Sequence, residues 1–434
     1  MTDRPSRRTW TAVAALALAT GLAAPASAQL GLPPLPVPGG LPRVGDALDR
    51  ALPVDTRELT RLTDLRRLKL QTLIRQNRAA IDVDDVGAPV VRGQVLAVSP
   101  SPRSLEIARA RGFAVARQER MDALGLSLVT LTPPKGLTAR QAVKRLRKAD
   151  PSGDYDYNHI YSDSGGAVPT VQAQAGGSSG RSGVRIGLVD SGVDVGHPAL
   201  AGVRIEQRGF APGGVRPHPH GTAVASLMAG NATPFRGAAP GASLLVADVY
   251  GTGPTGGAAD YIIRAMAWMA ENRVPVVNVS LVGPPNATMK AAVRAMAGQG
   301  TLVVAAVGND GPAAPPLYPA SYPEAVAVTG VDARGKVLLE ASRAAHLDFA
   351  APGADMAAAT TGGGFASVRG TSFAAPIVAG KLAARMNGRS PAAARAALDA
   401  LTREARDLGP KGVDKTYGRG VVGEDIRLPP KAIR

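Results

Sequence analysis

The chain has 434 residues and a formal charge of +16, with 45% apolar and 19% charged residues, 51 Gly, 36 Pro and no Cys. That composition is globular and long enough for a large core plus an accessory domain. It excludes a disulfide-stapled scaffold and a generally disordered chain. Much of the positive charge lies in runs such as 61–78 and 144–148, without zinc-ligand spacing or interleaved aromatic and basic residues, so nucleic acid is not an expected partner.

Residues 1–28 read as an export signal. Arg4, Arg7 and Arg8 lead into the apolar run 10–24, and Ala26, Ser27 and Ala28 supply a small-residue cleavage site. Roughly 15 apolar residues are short of the ~20 that span a bilayer. Removal is therefore expected, giving an exported protein, periplasmic or secreted, with no stable membrane span. Residues 29–90 hold a Pro-rich spacer, 30–42, and an amphipathic helix over 56–80 with Leu59, Leu62, Leu65, Leu68, Leu70 and Leu73 near helical spacing. Residues 91–161 then read as strand 94–98, helix 103–110, strands 113–117 and 126–131, helix 138–148 and strand 155–161. That βαββαβ order predicts a small ferredoxin-like α+β unit. The Gly, Ser and Ala of 162–183 predict a flexible, protease-accessible linker.

From 184 to 434 short apolar runs alternate with helical patterns: strands 184–189, 244–249, 276–280 and 302–307, helices 258–271 and 288–297. Repeated βα units predict an α/β fold, a three-layer doubly wound domain with a mostly parallel sheet and functional residues at the carboxyl ends of its strands. Four polar residues fall at such places. Asp190 ends the run IGLV, His220 opens HGTAVASLMAG, Asn309 follows VVAAVG, and Ser372 stands in GTSFAAPIVAG. Each alone has an ordinary structural reading: an Asx turn, a capping or surface His, a Gly-Asn turn, a helix cap. Together they supply what amide hydrolysis requires, namely a nucleophile, a base, a group that orients the base and a donor to the oxyanion.

These segments resemble the subtilisin-like serine proteases over about 184–422. Asp, His and Ser occur in that family's order, in IGLVDSGV, HGTAVASLMAG and GTSFAAPIVAG, with Asn309 in VGNDGP between the last two. The resemblance implies that Asp190 orients the imidazole, His220 is general acid and base, Ser372 is the nucleophile and Asn309 donates to the oxyanion. His218 is set aside as base because Gly221 and Thr222 follow His220 in the motif; His197, before Pro198, matches a structural His-Pro, and His159 and His346 have no partner pattern. Substrate is expected as an added strand between Thr255, Gly256 and Gly257 on one side and Ser280, Leu281 and Val282 on the other. The family has Gly where Val282 stands, and Leu317 falls near the pocket floor, so a small residue before the scissile bond is the expected preference.

The unit 91–161 resembles the family's propeptides, which implies an intramolecular inhibitor, with 155–161 as its tail and self-cleavage between about 161 and 183. A monomer acting on protein or peptide substrates is expected. Family members often bind Ca²⁺, but no dense run of Asp and Asn has a recognisable ligand spacing, so no cofactor or metal site is assigned. Two other readings remain: a catalytically silent subtilase-fold protein that binds peptides or assists folding, and esterase or ligase chemistry on the same acyl-enzyme.

Overall fold

The computed structural model describes residues 67–163, 166–169, 176–177 and 183–433. The export signal 1–28, the spacer 30–42 and the first part of the predicted helix, 56–66, lie outside the described residues, as do 164–165, 170–175 and 178–182 of the linker.

The catalytic-domain sheet has seven strands, all parallel. In spatial order they are Ile205–Gly209, Ser243–Asp248, Arg185–Asp190, Val276–Val279, Leu302–Ala306, Ala325–Val331 and Phe349–Pro352. Alternation along the strands divides two cores. Ile186 and Leu188 face the helices Pro219–Ala229 and Thr371–Ala383. Val189, Val277 and Val279 face the helices Ala259–Glu271 and Ala287–Gly298. The result is a helix–sheet–helix sandwich, as parallel strands buried on both faces require. Arg185–Asp190 comes first in this part of the chain yet lies third in the sheet, between Ser243–Asp248 and Val276–Val279. The winding therefore reverses beside it, and Asp190 sits at the carboxyl end where such a reversal opens a crevice.

The N-terminal unit is a five-stranded antiparallel sheet. Tyr155–His159, Pro89–Val98, Leu126–Thr132 and Ala114–Met121 lie in that order, and Ile81–Val83 pairs with the start of Pro89–Val98. Helices Pro102–Ala110 and Ala139–Ala149 cover one face through Leu105, Ala142, Val143 and Leu146. The second begins at a capping box in which Thr138 and Gln141 satisfy each other's backbone N–H groups. Leu96, Leu128, Met121 and Leu124 present the other face to the helices Ala259–Glu271 and Ala287–Gly298.

Four expectations need correction. The helix predicted to run to Ala80 is helical over 67–76 and then turns, and the sheet starts at Ile81 rather than after residue 91. Ile81 and Val83 share one face at strand period, a short signal that the preceding leucine-rich run masked. The linker is not loop throughout, because Gly166–Pro169 pairs antiparallel with Phe365–Arg369 and Gly176–Gly177 with Ala232–Thr233. Pairing to strands far along the chain overrides the poor strand propensity of Gly and Pro. The last strand of the N-terminal unit ends at His159, and Ile160 bridges Ala258 instead.

Candidate active site

Asp190 ends its strand with its side chain in the crevice, 1% exposed. Its Oδ1 accepts from the Ser191 N–H at 2.7 Å, from the Ser191 hydroxyl at 3.2 Å and from His220 Nδ1 at 2.8 Å. The Ser191 hydroxyl also accepts from the Gly221 N–H at 3.1 Å, which ties the strand end to the His220 helix. That helix starts with Pro219 in its first turn and is capped by His218, whose Nδ1 accepts from the His220 N–H. His218 is exposed and holds the helix start, while His220 is buried, so the two histidines separate as the motif implied.

Because Nδ1–H is given to Asp190, the imidazole's other nitrogen is the free base. His220 Nε2 is buried with no hydrogen-bond partner. Burial pushes the imidazole's pKa down, but the Asp190 carboxylate, by charge and hydrogen bond, and Asp163 by charge, hold it above the ordinary histidine value. The ring lies 5.5 Å from that of Phe373, the residue after Ser372.

Ser372 is the second residue of the helix Thr371–Ala383, not its cap. Gly370 takes the cap position with φ +139°, a conformation that excludes a Cβ-bearing residue. Ser372 is fully buried, and its hydroxyl donates to the Ser280 carbonyl at 3.4 Å. Pro376, four residues on, has no N–H for the Ser372 carbonyl. The Ser280 hydroxyl donates to that carbonyl instead, at 3.0 Å, and accepts from Asn278 Nδ2 at 2.8 Å. Asn309 follows the strand Leu302–Ala306, and its Oδ1 accepts from the Thr371 N–H at 3.0 Å. The Thr371 hydroxyl accepts from the Gly308 N–H at 3.1 Å. Asn309 thus adjoins the N-terminus of the Ser372 helix and its positive potential.

The flanking segments hold the chain's own residues 160–163. Ile160 bridges Ala258, the Tyr161 N–H donates to the Gly257 carbonyl at 2.9 Å, and Ser162 and Asp163 pair antiparallel with Val282 and Leu281. Gly257, at φ +78°, leaves room for the Tyr161 carbonyl, which a Cβ would strike. Gly256 and Asp163 line a cavity of ≈ 450 Å³ with Asp190 and His220. Thr255 closes a turn through its carbonyl to the Ala258 N–H and does not line that cavity. The Ser280 hydroxyl supports the Ser372 carbonyl. Val282 and Leu317 are buried and converge over Gly308, where a Cβ would stand 3.5 Å from Val282 Cγ1 and 2.6 Å from Leu317 Cδ1.

The remaining histidines lie elsewhere. His197 Nε2 bonds the Gly364 carbonyl and its Nδ1 accepts from the Ala199 N–H. His346 bonds the Ala325 carbonyl and pairs with Asp348. His159 bridges Asp84 and Asn286. Sequence reasoning passed over Ser191, Asn278, Thr371 and the Ser280 hydroxyl. One signal was available: a proline four residues after the nucleophile orphans that residue's carbonyl and calls for a donor. Among the described residues no group of His, Asp and Glu is arranged to hold a metal ion, and no helix is long and apolar enough to cross a membrane.

Sheet, crevice and the Asp190–His220 pair define an α/β serine hydrolase. Residues 181–420 match the model of the subtilase family. Subtilisin E of Bacillus subtilis (strain 168) is 35% identical over 304 residues, covering 65% of this chain and 77% of its own length. Subtilisin Savinase of Lederbergia lenta is 34% identical over 270 residues, covering 59% and 96%. The crystal structure of fervidolysin from Fervidobacterium pennivorans, a keratinolytic enzyme related to subtilisin, shares the fold at a TM-score of 0.64 and 21% identity, covering 80% of this chain and 62% of that one. The chain belongs to the subtilase family and is a subtilisin-like serine endopeptidase, a hydrolase acting on protein or peptide substrates.

Proposed function

We propose that the protein is an exported endopeptidase that cleaves through Asp190, His220 and Ser372 and processes its own chain. The observation that carries this reading is the 2.8 Å bond from His220 Nδ1 to Asp190, which leaves Nε2 as an unprotonated base. As the Ser372 hydroxyl attacks the substrate carbonyl carbon, its proton passes to Nε2, and Asp190 stabilises the imidazolium. The carbonyl oxygen becomes an oxyanion held by the Ser372 N–H and Asn309 Nδ2. The imidazolium then protonates the leaving amine, the C–N bond breaks and an acyl-enzyme forms. Water activated by the same imidazole releases the acid and restores Ser372.

The N-terminal unit read as 91–161, whose sheet reaches back to Ile81, acts in this reading as a prodomain and intramolecular inhibitor. Its support is the seating of 160–163 as a strand within the cleft. Two more contacts bind the units. Asn158 and Asp260 exchange hydrogen bonds of 2.9 and 3.1 Å, and Asp156 accepts from the Ala287 N–H at 2.6 Å, at the start of a helix. Asp163 borders the cavity with His220, and Gly166 pairs with Arg369, three residues before Ser372. The self-cleaved bond therefore falls between 163 and 166. Val282 and Leu317 together support a preference for small residues before the bond.

Ser372→Ala tests this directly. The variant should accumulate at full precursor length, resist a fluorophosphonate probe and leave casein intact, while N-terminal sequencing of the active wild type should begin between residues 164 and 166. Undiminished casein hydrolysis by purified Ser372→Ala would sink the mechanism.

A further inference from the structure

The helix over 67–76 belongs neither to the seven-stranded domain nor to the antiparallel sheet, yet it touches both. Leu73 and Ile74 pack on a cluster formed by Ile81, Val91, Ile160 and Ala258, with Tyr261 beside them. That cluster stands where the chain passes from one unit into the other. The Ile160 N–H donates to the Pro89 carbonyl of the antiparallel sheet at 2.9 Å, while Ile160 bridges Ala258 of the catalytic domain. Leu73 reaches further and lines the ≈ 450 Å³ cavity with Asp190, His220, Gly253 and Pro254. Leu68, 53% exposed, has no part in the cluster. The end of the helix is fixed as well. The backbone and side-chain N–H groups of Asn77 both donate to the Leu73 carbonyl, at 3.1 and 2.9 Å, and close the last turn. Arg92 holds the turn that follows: its Nε donates to the Arg78 carbonyl at 2.7 Å, its Nη2 to the Ile81 carbonyl at 3.1 Å, and its Nη1 pairs with Asp82 at 3.3 Å. The helix is thus anchored to the sheet while its apolar face bears on the tail.

We propose that residues 67–77 are a clasp, a second inhibitory element that keeps the tail in the cleft after the chain has cut itself. This rests on the prodomain reading and goes beyond it, because the clasp lies outside both the sheet and the tail. Cleavage between 163 and 166 frees only the carboxyl end of the tail. Release then requires Ile160 to part from Ala258, and Leu73 and Ile74 oppose that step through the apolar surface they would return to water. Both side chains are half-buried, so together they amount to about one fully buried aliphatic side chain, which corresponds to about 10- to 10²-fold in the rate of release. Because Leu73 shares its cavity with His220, the clasp must lift before a substrate fills that space.

The test uses the full chain carrying Leu73→Ser together with Ile74→Ser, and Leu68→Ser as the exposed control. Self-cleavage is followed on a gel and activity by casein hydrolysis, and the interval between the two measures release. The double variant should cut itself at the wild-type rate and shorten that interval by about 10- to 10²-fold, with Leu68→Ser at the wild-type value. An unchanged interval, or an equal change in Leu68→Ser, overturns the clasp. Amide exchange in full-length Ser372→Ala reads the same contact without catalysis. There the double substitution should speed exchange of the Tyr161 N–H, which donates to the Gly257 carbonyl, and leave the strand Leu126–Thr132 unmoved. Unchanged Tyr161 exchange, or equal acceleration throughout the antiparallel sheet, makes the helix a plain support of the fold and overturns the proposal. A wild-type chain that never cuts itself refutes the self-processing reading, while exchange at Tyr161 still decides the clasp.

Discussion

Ser280→Ala removes one hydroxyl that no substrate needs to touch. In the structure that hydroxyl donates to the Ser372 carbonyl at 3.0 Å, which the helix cannot satisfy because Pro376 lacks an N–H, and it accepts from Asn278 at 2.8 Å. All three residues are fully buried. The substitution therefore withdraws a partner from two buried polar groups, each at about 1–3 kcal/mol. A loss of about 2–6 kcal/mol of stability should lower Tm by roughly 4–24 °C in a domain of this size. Ser372 also loses the contact that fixes the first turn of its helix, so kcat should fall about tenfold or more with little change in KM. Scanning calorimetry of the Ser372→Ala background gives the first quantity, and active-site-titrated peptide hydrolysis the second. The coupling to Pro376 is the sharper measurement. Pro376→Ala returns an N–H to the Ser372 carbonyl, so Ser280→Ala should cost less in that background, by about 1 kcal/mol or more in a double-mutant cycle. Additive effects of the two substitutions, or a Ser280→Ala enzyme with wild-type Tm and kcat, would refute the reasoning.

Asn309→Ala should fold normally and lose about 10²- to 10³-fold in kcat, the cost measured for subtilisin itself when its oxyanion amide is removed; a wild-type kcat at equal active-site titre excludes the role. In the proposed mechanism the base is neutral His220, whose pKa is raised by Asp190 and, while the segment is seated, by Asp163. Rates should therefore fall as pH drops through that raised value, and Asp163→Asn should move the acid limb of self-processing to lower pH; a limb unmoved or shifted upward contradicts the electrostatics. Asp156→Ala removes the acceptor for the Ala287 N–H. In full-length Ser372→Ala it should speed amide exchange at the start of Ala287–Gly298 by about 2- to 30-fold, the range for a lost helix cap, and unchanged exchange there would deny Asp156 that function.

The positions of Asp190, His220, Asn309 and Ser372 were legible because each ends or opens a strongly patterned element. Ile186 to Val189 is an unbroken apolar run, so Asp190 marks where the strand stops, and the Ala-rich stretch after Ser372 marks a buried helix. The ferredoxin-like order was legible for the same reason, since Thr138 and Gln141 signal a helix start without help from the rest of the fold. Gly166–Pro169 was not, because nothing local favours a strand there. Its register comes from Phe365–Arg369, about 200 residues on, and only the assembled chain brings the two together. The same limit hid the seat of Tyr161, which is made by the absence of a side chain at Gly283 and a carbonyl at Pro284, neither of which a pattern of apolar residues records.

The residues read least well are those that position rather than react, and they share one physical cause. Each repairs a backbone group that the site's own geometry has orphaned. Placing a helix N-terminus at Ser372 leaves the Thr371 N–H without an intrahelical acceptor, and the Asn309 side-chain Oδ1 takes it. Putting Pro376 in the second turn orphans the Ser372 carbonyl, and Ser280 answers it. Ending a strand at Asp190 frees the Ser191 N–H and hydroxyl, which bond the carboxylate and the next helix. The motifs are thus longer than their chemistry requires because every reactive residue carries a neighbour that fixes its backbone. This is why GTS, DSG and SLV are better units of inference here than Ser, Asp and His alone.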